Sequence, residues 1–382
     1  MNLEKYLNSK PLYYDEIDYT RMPRVYAKVK HFFKIPKIIH IIGTNGKGTT
    51  GRFLASALYK RGFSTGHYTS PHILEFNERI WVDGQNISKS TLNEAHTKLQ
   101  KILQKEDADA LSYFEYTTFL AMIVYEECDF VVMEAGLGGE HDATAVFPKC
   151  LTLVTPIGYD HEAFLGHSIE DIASTKLNAI QNSAILASQI YGEVYEVANK
   201  KAKEKKLEIF KADELLESLD MQNIALISKR LSLAPYLTQN LSLSIAALKF
   251  LKIAYEIDDF NDAKLFGRLS QIASNIIVDV GHNVLAAKSI VEALRDKKFV
   301  LVYNSYSDKN YKEILSVLKP IVKRVEIIEV QNRRIEQTQA LEKTLSEQEI
   351  EYSFFRGIKS GKEYLVFGSF SVVETFLKGY YE

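Results

Sequence analysis

A glycine-rich loop with the sequence GTNGKGT occupies residues 43–49. It follows the apolar run KIIHIIG and opens a helical pattern, which is the context that a phosphate-binding loop requires. Glycines let backbone N–H groups approach phosphate oxygens, Lys47 can reach the outer phosphates, and the hydroxyl of Thr49 or Thr50 can turn toward Mg²⁺. The loop predicts nucleotide binding rather than a simple turn, although Gly48 separates Lys47 from the threonine that usually follows it directly.

Glu134 and Ser70, which lie further along the chain, could supply oxygen ligands to Mg²⁺, because this ion prefers hard oxygen donors. Glu134 ends the apolar run FVVME and enters the glycine-rich segment AGLGGEHDAT, and ligands of open α/β sheets bind beyond the carboxyl ends of strands. Ser70 precedes a proline in YTSPHI. A solvated acid at a strand end and an ordinary serine turn remain the alternatives for these two residues.

A histidine and a lysine form a second pair of candidates. His161 lies just past another apolar run, in TPIGYDHEAFLG, and Lys176 follows in the helical segment IASTKLNAI. The apolar neighbours of Lys176 predict that it lies near the sheet, where burying an unmodified ammonium is costly. From the residues alone, packing of the histidine and solvation of the lysine stay open.

The elements that would position these residues alternate along the chain. Short apolar runs at 37–43, 128–136, 150–158 and 183–188 predict buried strands, and the segments at 47–62, 191–205 and 239–256 have helical patterns. This alternation is typical of a mainly parallel sheet covered by helices on both faces. The sequence therefore predicts an α/β fold.

A second, smaller α/β domain follows the acidic segment EIDDFNDAK at 256–264. The apolar runs that predict its strands are at 274–281, 297–304, 324–330 and 363–369. The 382 residues of the chain are enough for two domains. We place these domains at 1–262 and 263–382, with the boundary in the acidic segment.

The composition excludes several classes of protein. The 382 residues are 46% hydrophobic and carry a formal net charge of −2, which gives no broad basic surface for nucleic acid. The two cysteines, Cys128 and Cys150, are too few for a disulfide framework. The N-terminal MNLEKYLNSKPLYYDE lacks the apolar core of a signal peptide, and no apolar run is long enough to span a bilayer. We expect a cytoplasmic protein that acts without a membrane or nucleic acid.

Together these segments resemble the folylpolyglutamate synthase/dihydrofolate synthase family, a branch of the Mur-type ATP-dependent amide ligases. The similarity rests on short sequence motifs that occur in the same order as in the family. They are GTNGKGT (43–49), TSPHI…ERI (69–80), SYFE (112–115), EAGLGGEHDAT (134–144), GYDH (158–161), STKLNAI (174–180), GR (267–268), DVGHN (279–283), DK (308–309) and GSF (368–370). In this group the phosphate loop is G-x-x-G-K-G-[ST], which explains the additional glycine. The resemblance implies a P-loop-containing, mainly parallel central domain of the Mur ligase type, followed by a smaller Rossmann-like domain.

The resemblance also implies the chemistry. Members of the family act as dihydrofolate synthase or tetrahydrofolate synthase, and they use ATP and two Mg²⁺ ions. A carboxylate of dihydropteroate or of a folate attacks the γ-phosphate, and the α-amine of L-glutamate then attacks the mixed anhydride to give an amide, ADP and phosphate. The positive charge of the loop and the metal ions would offset the repulsion between the two anions.

Matching positions imply roles for individual residues of the first domain. The residues expected to cradle the phosphates are Asn45, Gly46, Lys47, Gly48 and Thr49. Ser70 and Glu134 match ligands of the first Mg²⁺, and His161 matches a ligand of the second. Lys176 matches the lysine that the family carries as an N-carboxylated side chain, so the expected catalytic residues are Lys47, Lys176 and His161.

The remaining roles concern the two substrates. Phe114, with Glu115 beside it in SYFE, matches the pterin pocket, where an aromatic ring can stack on a flat ring. The other expected nucleotide-binding residues are Gln239, Arg268, Asp279, His282 and Asn283.

Some positions depart from the family pattern. Glu140 and His141 stand where the family has arginine and leucine, which removes a positive charge beside the phosphate site. Ser242 stands where the family has an asparagine on the helix of Gln239.

The alternatives are a Mur-type peptidoglycan ligase and a non-catalytic nucleotide-binding protein. Peptidoglycan ligases carry a whole domain before the phosphate loop, whereas about 40 residues precede it here, fewer than a typical domain has. The complete set of metal-site residues argues against a non-catalytic protein. Residues 15–29, DEIDYTRMPRVYAKV, loosely resemble the region that forms the dihydropteroate site in bifunctional members, so we expect both glutamate-adding activities in a monomer.

Overall fold

The computed structural model describes residues 2–10 and 18–381 and divides into two compact units. The first unit comprises Met1–Ile157, Leu165–Leu231 and Gln239–Lys264, and the second comprises Gly158–Phe164, Ser232–Thr238 and Leu265–Glu382. Of the segment 15–29, residues 15–17 lie outside the described part of the chain. The changeover at Lys264 lies close to the predicted domain limit, but the two short inserted segments have no counterpart in that prediction.

The fold is α/β, as the sequence predicts, and it contains two mainly parallel sheets. The strands of the first unit are β1 (Lys37–Ile42), β2 (Thr65–Tyr68), β3 (Ile80–Val82), β4 (Gln85–Asn86), β5 (Phe130–Glu134), β6 (Leu151–Val154), β7 (Ser183–Leu186) and β8 (Glu208–Lys211). Those of the second unit are β9 (Ser270–Ala273), β10 (Ile276–Val278), β11 (Phe299–Tyr303), β12 (Val322–Ile327), β13 (Tyr352–Phe354) and β14 (Tyr364–Phe367).

The helices connect these strands. They are α1 (Leu3–Asn8), α2 (Arg21–Val29), α3 (Lys47–Lys60), α4 (Lys89–Ile102), α5 (Lys105–Ala110), α6 (Tyr113–Val124), α7 (Glu162–Leu165), α8 (Ile169–Leu177), α9 (Gly192–Lys205), α10 (Ala212–Leu215), α11 (Ser218–Arg230), α12 (Pro235–Phe250), α13 (Val284–Leu294), α14 (Tyr311–Leu318), α15 (Thr338–Glu347) and α16 (Phe370–Tyr381). Short 3₁₀ helices lie at Lys30–Phe32, Phe76–Arg79, Ala143–Val146, Ile257–Phe260 and Lys319–Ile321.

The first sheet has the order β4-β3-β2-β5-β1-β6-β7-β8. Strands β1, β2, β5, β6, β7 and β8 pair in parallel, and the β2–β3 and β3–β4 pairs are antiparallel. Strand β1 is buried at every position after Lys37, as expected for an Ile-rich strand in the middle of a sheet with helices on both faces. Its neighbours β5 and β6 end beside the phosphate loop, so the carboxyl ends of three adjacent strands meet there.

Several helices begin at serine residues whose side chains cap the first turn. Ser88 accepts a hydrogen bond from Thr91 N at the start of α4, and Ser168 accepts one from Asp171 N at the start of α8. Ser112 and Glu115 form a capping box at the start of α6. The caps of α6 and α8 fix the start of the helices that carry Phe114, Glu115 and Lys176.

The second unit has a sheet of order β13-β12-β11-β14-β10-β9, in which β9 is the antiparallel edge strand. Its core includes Phe299, Leu301, Leu315 and Phe367, and burying a side chain of this size stabilises a fold by about 1.5–3 kcal/mol. Asn283 caps α13, which follows β10.

Two predicted elements are wrong in their limits. The helix predicted at 239–256 runs from Pro235 to Phe250, because Lys252 adopts a left-handed backbone conformation and Ile253 N donates to Leu248 O across the helix end. The run at 274–281 contains β10 and the turn after it rather than one long strand.

The described residues contain no helix that is long and apolar enough to cross a membrane.

Candidate active site

The phosphate loop joins β1 to α3, and its glycines are required by its geometry. Gly46 precedes α3 with φ 89°, and a Cβ at Gly43, whose φ is 135°, would lie 2.0 Å from Thr155 Oγ1. The backbone N–H groups of Thr44 and Asn45 face the carbonyl oxygen of Pro156 at 3.0 and 3.4 Å. The loop therefore has a fixed backbone, and α3 presents its N-terminus at the loop.

Three of the predicted site residues come together beside this loop. Nζ of Lys47 lies 3.9 Å from Glu134 Oε1 and 3.3 Å from the carbonyl oxygens of Gly43 and Thr44. Glu134 Oε2 accepts hydrogen bonds from Thr69 Oγ1 and from the backbone N–H of Ser70, the latter at 3.2 Å. A cation, a carboxylate and a hydroxyl-bearing residue thus share one end of the sheet.

Lys176 approaches the same loop from α8. Its side chain is only 4% exposed, and its Nζ donates to Gly43 O at 3.0 Å. The sequence expectation that this lysine lies near the sheet is confirmed. Its N-carboxylation stays a prediction.

The donor set in the first unit fits Mg²⁺. The hydroxyls of Thr49 and Thr50 are buried and have no hydrogen-bond partner among the described residues. Because buried polar atoms normally have a partner, these two oxygens are available to a bound ion or phosphate. With Glu134 and Ser70 nearby, the set is made of hard oxygens, and Mg²⁺ commonly binds through one or two carboxylates with waters and phosphates. No group of three or more His, Cys, Asp and Glu side chains suited to a metal occurs in the described chain, so a dense all-protein cage is not what these residues form.

Asn240 lies beside the phosphate loop, and the sequence analysis did not identify it. Its side chain is 4% exposed, its Oδ1 would lie 2.3 Å from a Cβ at Gly46, and its Nδ2 has no partner within the described ranges. One turn later Ser244 donates to Thr50 O at 2.9 Å. The predicted residue Gln239 is exposed on the same helix. The signal that could have identified this face is the spacing of four between Asn240 and Ser244, which places both residues on one side of the helix.

The aromatic candidate lies beside the glycine-rich turn after β5. The Phe114 ring stacks on Tyr68 with centroids 5.9 Å apart, and a Cβ at Gly136 would lie 2.7 Å from its Cζ. Glycine at 136 therefore leaves room for the ring. Glu115 Oε2 accepts from Ser112 N at 2.7 Å and from Arg21 Nε at 2.7 Å, so its carboxylate is used within the protein.

Two of the residues that depart from the family pattern, Glu140 and His141, lie on the surface of the first unit. Glu140 accepts a hydrogen bond from Asn178 Nδ2 at 2.7 Å, and the His141 ring contacts the Tyr19 ring with centroids 4.5 Å apart. Glu140 therefore has a partner at the end of α8, the helix that carries Lys176.

The other predicted residues belong to the second unit, where Asp160 is surrounded by positive and polar groups. Its carboxylate pairs with Lys309 and accepts from Asn283 Nδ2 at 3.1 Å. His161 Nε2 and His282 Nε2 lie 3.9 and 3.7 Å from its oxygens. Burial alone would raise the pKa of Asp160, but the charges of the two histidines and of Lys309 hold that pKa well below its usual range.

Asp279 and Arg268 lie close together in the same unit. The buried Asp279 carboxylate accepts from Gly281 N at 2.7 Å, Leu269 N at 2.9 Å and the Tyr236 hydroxyl at 3.1 Å, and burial raises its pKa. The Arg268 guanidinium lies 5.3 Å from the centre of the Phe370 ring. Asp279 is thus committed to internal hydrogen bonds, whereas Arg268 forms a cation–π contact on a partly exposed face.

Comparison with known proteins adds a family to this geometry. No protein-family model matches the chain. The dihydrofolate synthase/folylpolyglutamate synthase of Bacillus subtilis is 30% identical over 338 residues, which are 79% of this chain and 78% of that protein. The crystal structure of Helicobacter pylori folylpolyglutamate synthetase is 37% identical with a TM-score of 0.80, and the match covers 99% of this chain and 98% of that one.

A more distant structure shares the fold. The bifunctional folylpolyglutamate synthase/dihydrofolate synthase of Yersinia pestis, complexed with AMPPNP and a Mn ion, has a TM-score of 0.81 at 23% identity and covers 99% of this chain and 97% of its own. The identity and coverage of the Bacillus subtilis relative decide the assignment. The chain belongs to the dihydrofolate synthase/folylpolyglutamate synthase family.

Proposed function

We propose that this protein is an ATP-dependent amide ligase that adds L-glutamate to dihydropteroate and to the γ-carboxylate of folates. The observation that carries the proposal is the meeting of Lys47, Glu134 and the backbone of Ser70 at a phosphate loop of the G-x-x-G-K-G-T type. Family membership supports both the reaction and the two acceptor substrates. ATP and a divalent cation are the co-substrate and cofactor that this site suits.

The residues of the loop bind and orient the triphosphate. Lys47 donates to the loop carbonyls through contacts of 3.3 Å, and these long contacts leave it able to turn toward the outer phosphates. Glu134 and the hydroxyls of Ser70 and Thr49 would hold Mg²⁺, which would offset the charge of the phosphates. In the first unit, an N-carboxylated Lys176 would supply a further anionic oxygen beside the loop. In the second unit, His161 is the residue that we propose for a second ion.

The remaining residues orient the acceptor. The Phe114 ring offers a flat apolar surface to the pterin, and Glu115 holds the start of α6 through the capping box. The acceptor carboxylate, oriented in this way, attacks the γ-phosphorus and displaces ADP. The amine of glutamate then attacks the acyl carbon, loses a proton and displaces phosphate, which leaves the amide. The loop N–H groups and Lys47 stabilise the charge that develops on the phosphoryl oxygens.

A coupled ADP-release assay tests the proposal. ADP formation should require glutamate together with dihydropteroate, and separately glutamate together with tetrahydrofolate. ADP release that ignores every pteroyl acceptor contradicts the proposal. Thermal stabilisation by ATP and Mg²⁺ without any turnover would instead favour a non-catalytic nucleotide-binding protein.

The setting of the reaction is also part of the proposal. We infer a monomer in the cytoplasm that needs neither nucleic acid nor a membrane, in keeping with a near-neutral charge and two free thiols. Sedimentation of the purified protein and cell fractionation test these two points.

A further inference from the structure

The carboxylate of Asp160 gathers donors from three separate parts of the second unit. Lys309 Nζ lies 2.5 Å from Oδ1, Asn283 Nδ2 lies 3.1 Å from Oδ2, and the backbone N–H of His161 donates to Oδ1 at 2.9 Å. The Lys309 side chain is 4% exposed, and the residue lies 149 positions from Asp160 along the chain. Both oxygens of the carboxylate are therefore occupied within the protein.

The backbone at His161 needs this support. Its φ is 54°, in the left-handed region that residues with a side chain seldom adopt. Such a conformation persists only where the surroundings hold it in place. The hydrogen bond from His161 N to Asp160 provides that hold, so the direction of the imidazole depends on where the carboxylate is fixed.

The two donors to Asp160 are themselves held. Asn283 Oδ1 accepts from Ala286 N at 2.9 Å at the start of α13, which leaves its amide nitrogen aimed at Asp160. Lys309 Nζ lies 3.5 Å from Asp308, whose two oxygens pair with Arg334 Nη2 at 2.8 and 3.0 Å. Asp160 is consequently fixed on both sides by elements of the second unit.

We propose that Asp160 is a positioning residue that acts through the Lys309 ion pair and Asn283 to orient His161 for the second divalent cation. The proposal rests on the proposed function for the role of the cation. It assigns one common role to the segments GYDH, DVGHN and DK, which the sequence analysis identified only as separate motifs along the chain. Asp160 and Lys309 need not touch substrate for this role.

Hydrogen exchange of the ligand-free protein tests the hold on the segment. Lys309→Met and Asp160→Asn should each speed amide exchange in residues 158–164 at least tenfold. Glu326→Gln is the matched control, because Glu326 is also a buried acid of the second unit and faces Arg324 at 3.5 Å. The control should leave exchange in 158–164 unchanged. Unchanged exchange in Lys309→Met overturns the proposal.

A double variant distinguishes loss of the positioning contact from general destabilisation of the fold. Each single substitution leaves a buried charge without its partner, which destabilises a protein, whereas Asp160→Asn with Lys309→Met removes both charges. The double variant should recover the melting temperature of the wild type and still exchange faster in 158–164. Recovery of both properties would show that the pair only stabilises the fold, and would overturn a positioning role.

Mn²⁺ titration in the presence of ADP, followed by electron paramagnetic resonance, tests the metal role without any turnover. The weaker of two Mn²⁺ ions should lose at least tenfold in affinity in Lys309→Met and in the double variant, and should be unaffected in Glu326→Gln. Faster exchange with unchanged Mn²⁺ affinity overturns the proposal. A wild type that binds a single Mn²⁺ overturns the proposed two-ion site, and the exchange result then separates that failure from a failure of the positioning contact.

Discussion

Nζ of Lys47 lies 3.9 Å from Oε1 of Glu134, and the two residues lie beyond or at the carboxyl ends of the adjacent parallel strands β1 and β5. The carboxylate ends β5, whereas the lysine begins the helix after β1. In this position a cation for phosphate and an anion for Mg²⁺ lie at the same sheet edge, where open α/β folds bind ligands. Without a nucleotide, each of the two charges partly compensates the other.

Lys47→Ala tests the loop directly. Removing the cation should lower ligation by at least roughly 10²–10³-fold, the cost of losing one preorganised charge-stabilising donor, and should leave the circular dichroism spectrum unchanged. Lys60→Ala, at the other end of α3, is the control and should keep its activity. Unchanged turnover in Lys47→Ala refutes the role of the loop.

Lys176→Ala tests N-carboxylation of the buried lysine. Activity should be lost and then partly restored by a short-chain carboxylate, because a small anion can take the space of the missing carbamate. Rescue is measured as initial rate against carboxylate concentration, with Lys47→Ala as a variant that no carboxylate should restore. Full activity of Lys176→Ala without any additive would end the carbamate hypothesis.

Phe114→Ala tests the pterin surface. Loss of a stacked ring costs about 0.5–1.5 kcal/mol beyond burial, so the KM for the pteroyl substrate should rise roughly tenfold. The KM for ATP, measured on the same preparation, should change by less than about twofold. Equal changes in the two constants would place Phe114 outside the acceptor site.

Asn240→Ala tests the residue that the structure adds to the site. Its unpartnered Nδ2 beside Gly46 is a donor suited to the nucleotide, and losing one such hydrogen bond costs about 0.5–1.5 kcal/mol. ADP affinity by calorimetry should fall about three- to tenfold. Gln239→Ala, one residue earlier and exposed, should have little effect. A larger loss in Gln239→Ala would reverse this assignment.

Lys149 gives a prediction about stability and pH. The residue is 4% exposed, its ammonium donates to the carbonyls of Ala145 and Phe147, and burial lowers its pKa to about 8. Between about pH 8 and the unfolded pKa of lysine near 10.4, the unfolded chain binds more protons than the folded protein. The free energy of unfolding therefore increases as pH rises, by up to about 1.4 kcal/mol per pH unit. Below pH 8 both states are protonated and this contribution is constant.

Denaturant titrations of the wild type and Lys149→Met from pH 7 to pH 10 measure this effect. The difference in free energy of unfolding should move in favour of the wild type by about 2–3 kcal/mol across that range. Lys34→Met, at an exposed surface position, should show a constant difference. A constant difference for Lys149→Met as well would contradict a depressed pKa.

The sequence was sufficient for the centre of the first sheet. Strands β1, β5, β6 and β7 lie within the predicted apolar runs, because central strands of parallel sheets are apolar on both faces and need no partner to be recognised. Strands β3 and β4 were not predicted, since an antiparallel edge has short runs whose burial depends on a neighbour. The edge strand β9 escaped for the same reason.

The candidate site divides in the same way. Lys47 and Glu134 are recognised from local sequence motifs, because a strand and the turn or helix that follows it are enough to predict the position of each residue. The roles of Asp160 and Asn240 depend on partners more than a hundred residues away, and no local pattern contains that information. Glu115 shows the opposite case. The resemblance assigns its carboxylate to the substrate site, but that carboxylate is used in the capping box with Ser112 and in the ion pair with Arg21.

The most direct test of the account follows the carboxylate oxygen of the acceptor. Dihydropteroate labelled with ¹⁸O in its carboxyl group is incubated with ATP, Mg²⁺, L-glutamate and the purified protein, and both products are analysed by mass spectrometry. An acyl phosphate requires that one labelled oxygen leaves with phosphate as the glutamyl amide forms, so the account predicts one ¹⁸O in the phosphate for each amide. Unlabelled phosphate, or no glutamyl amide at all, would contradict it.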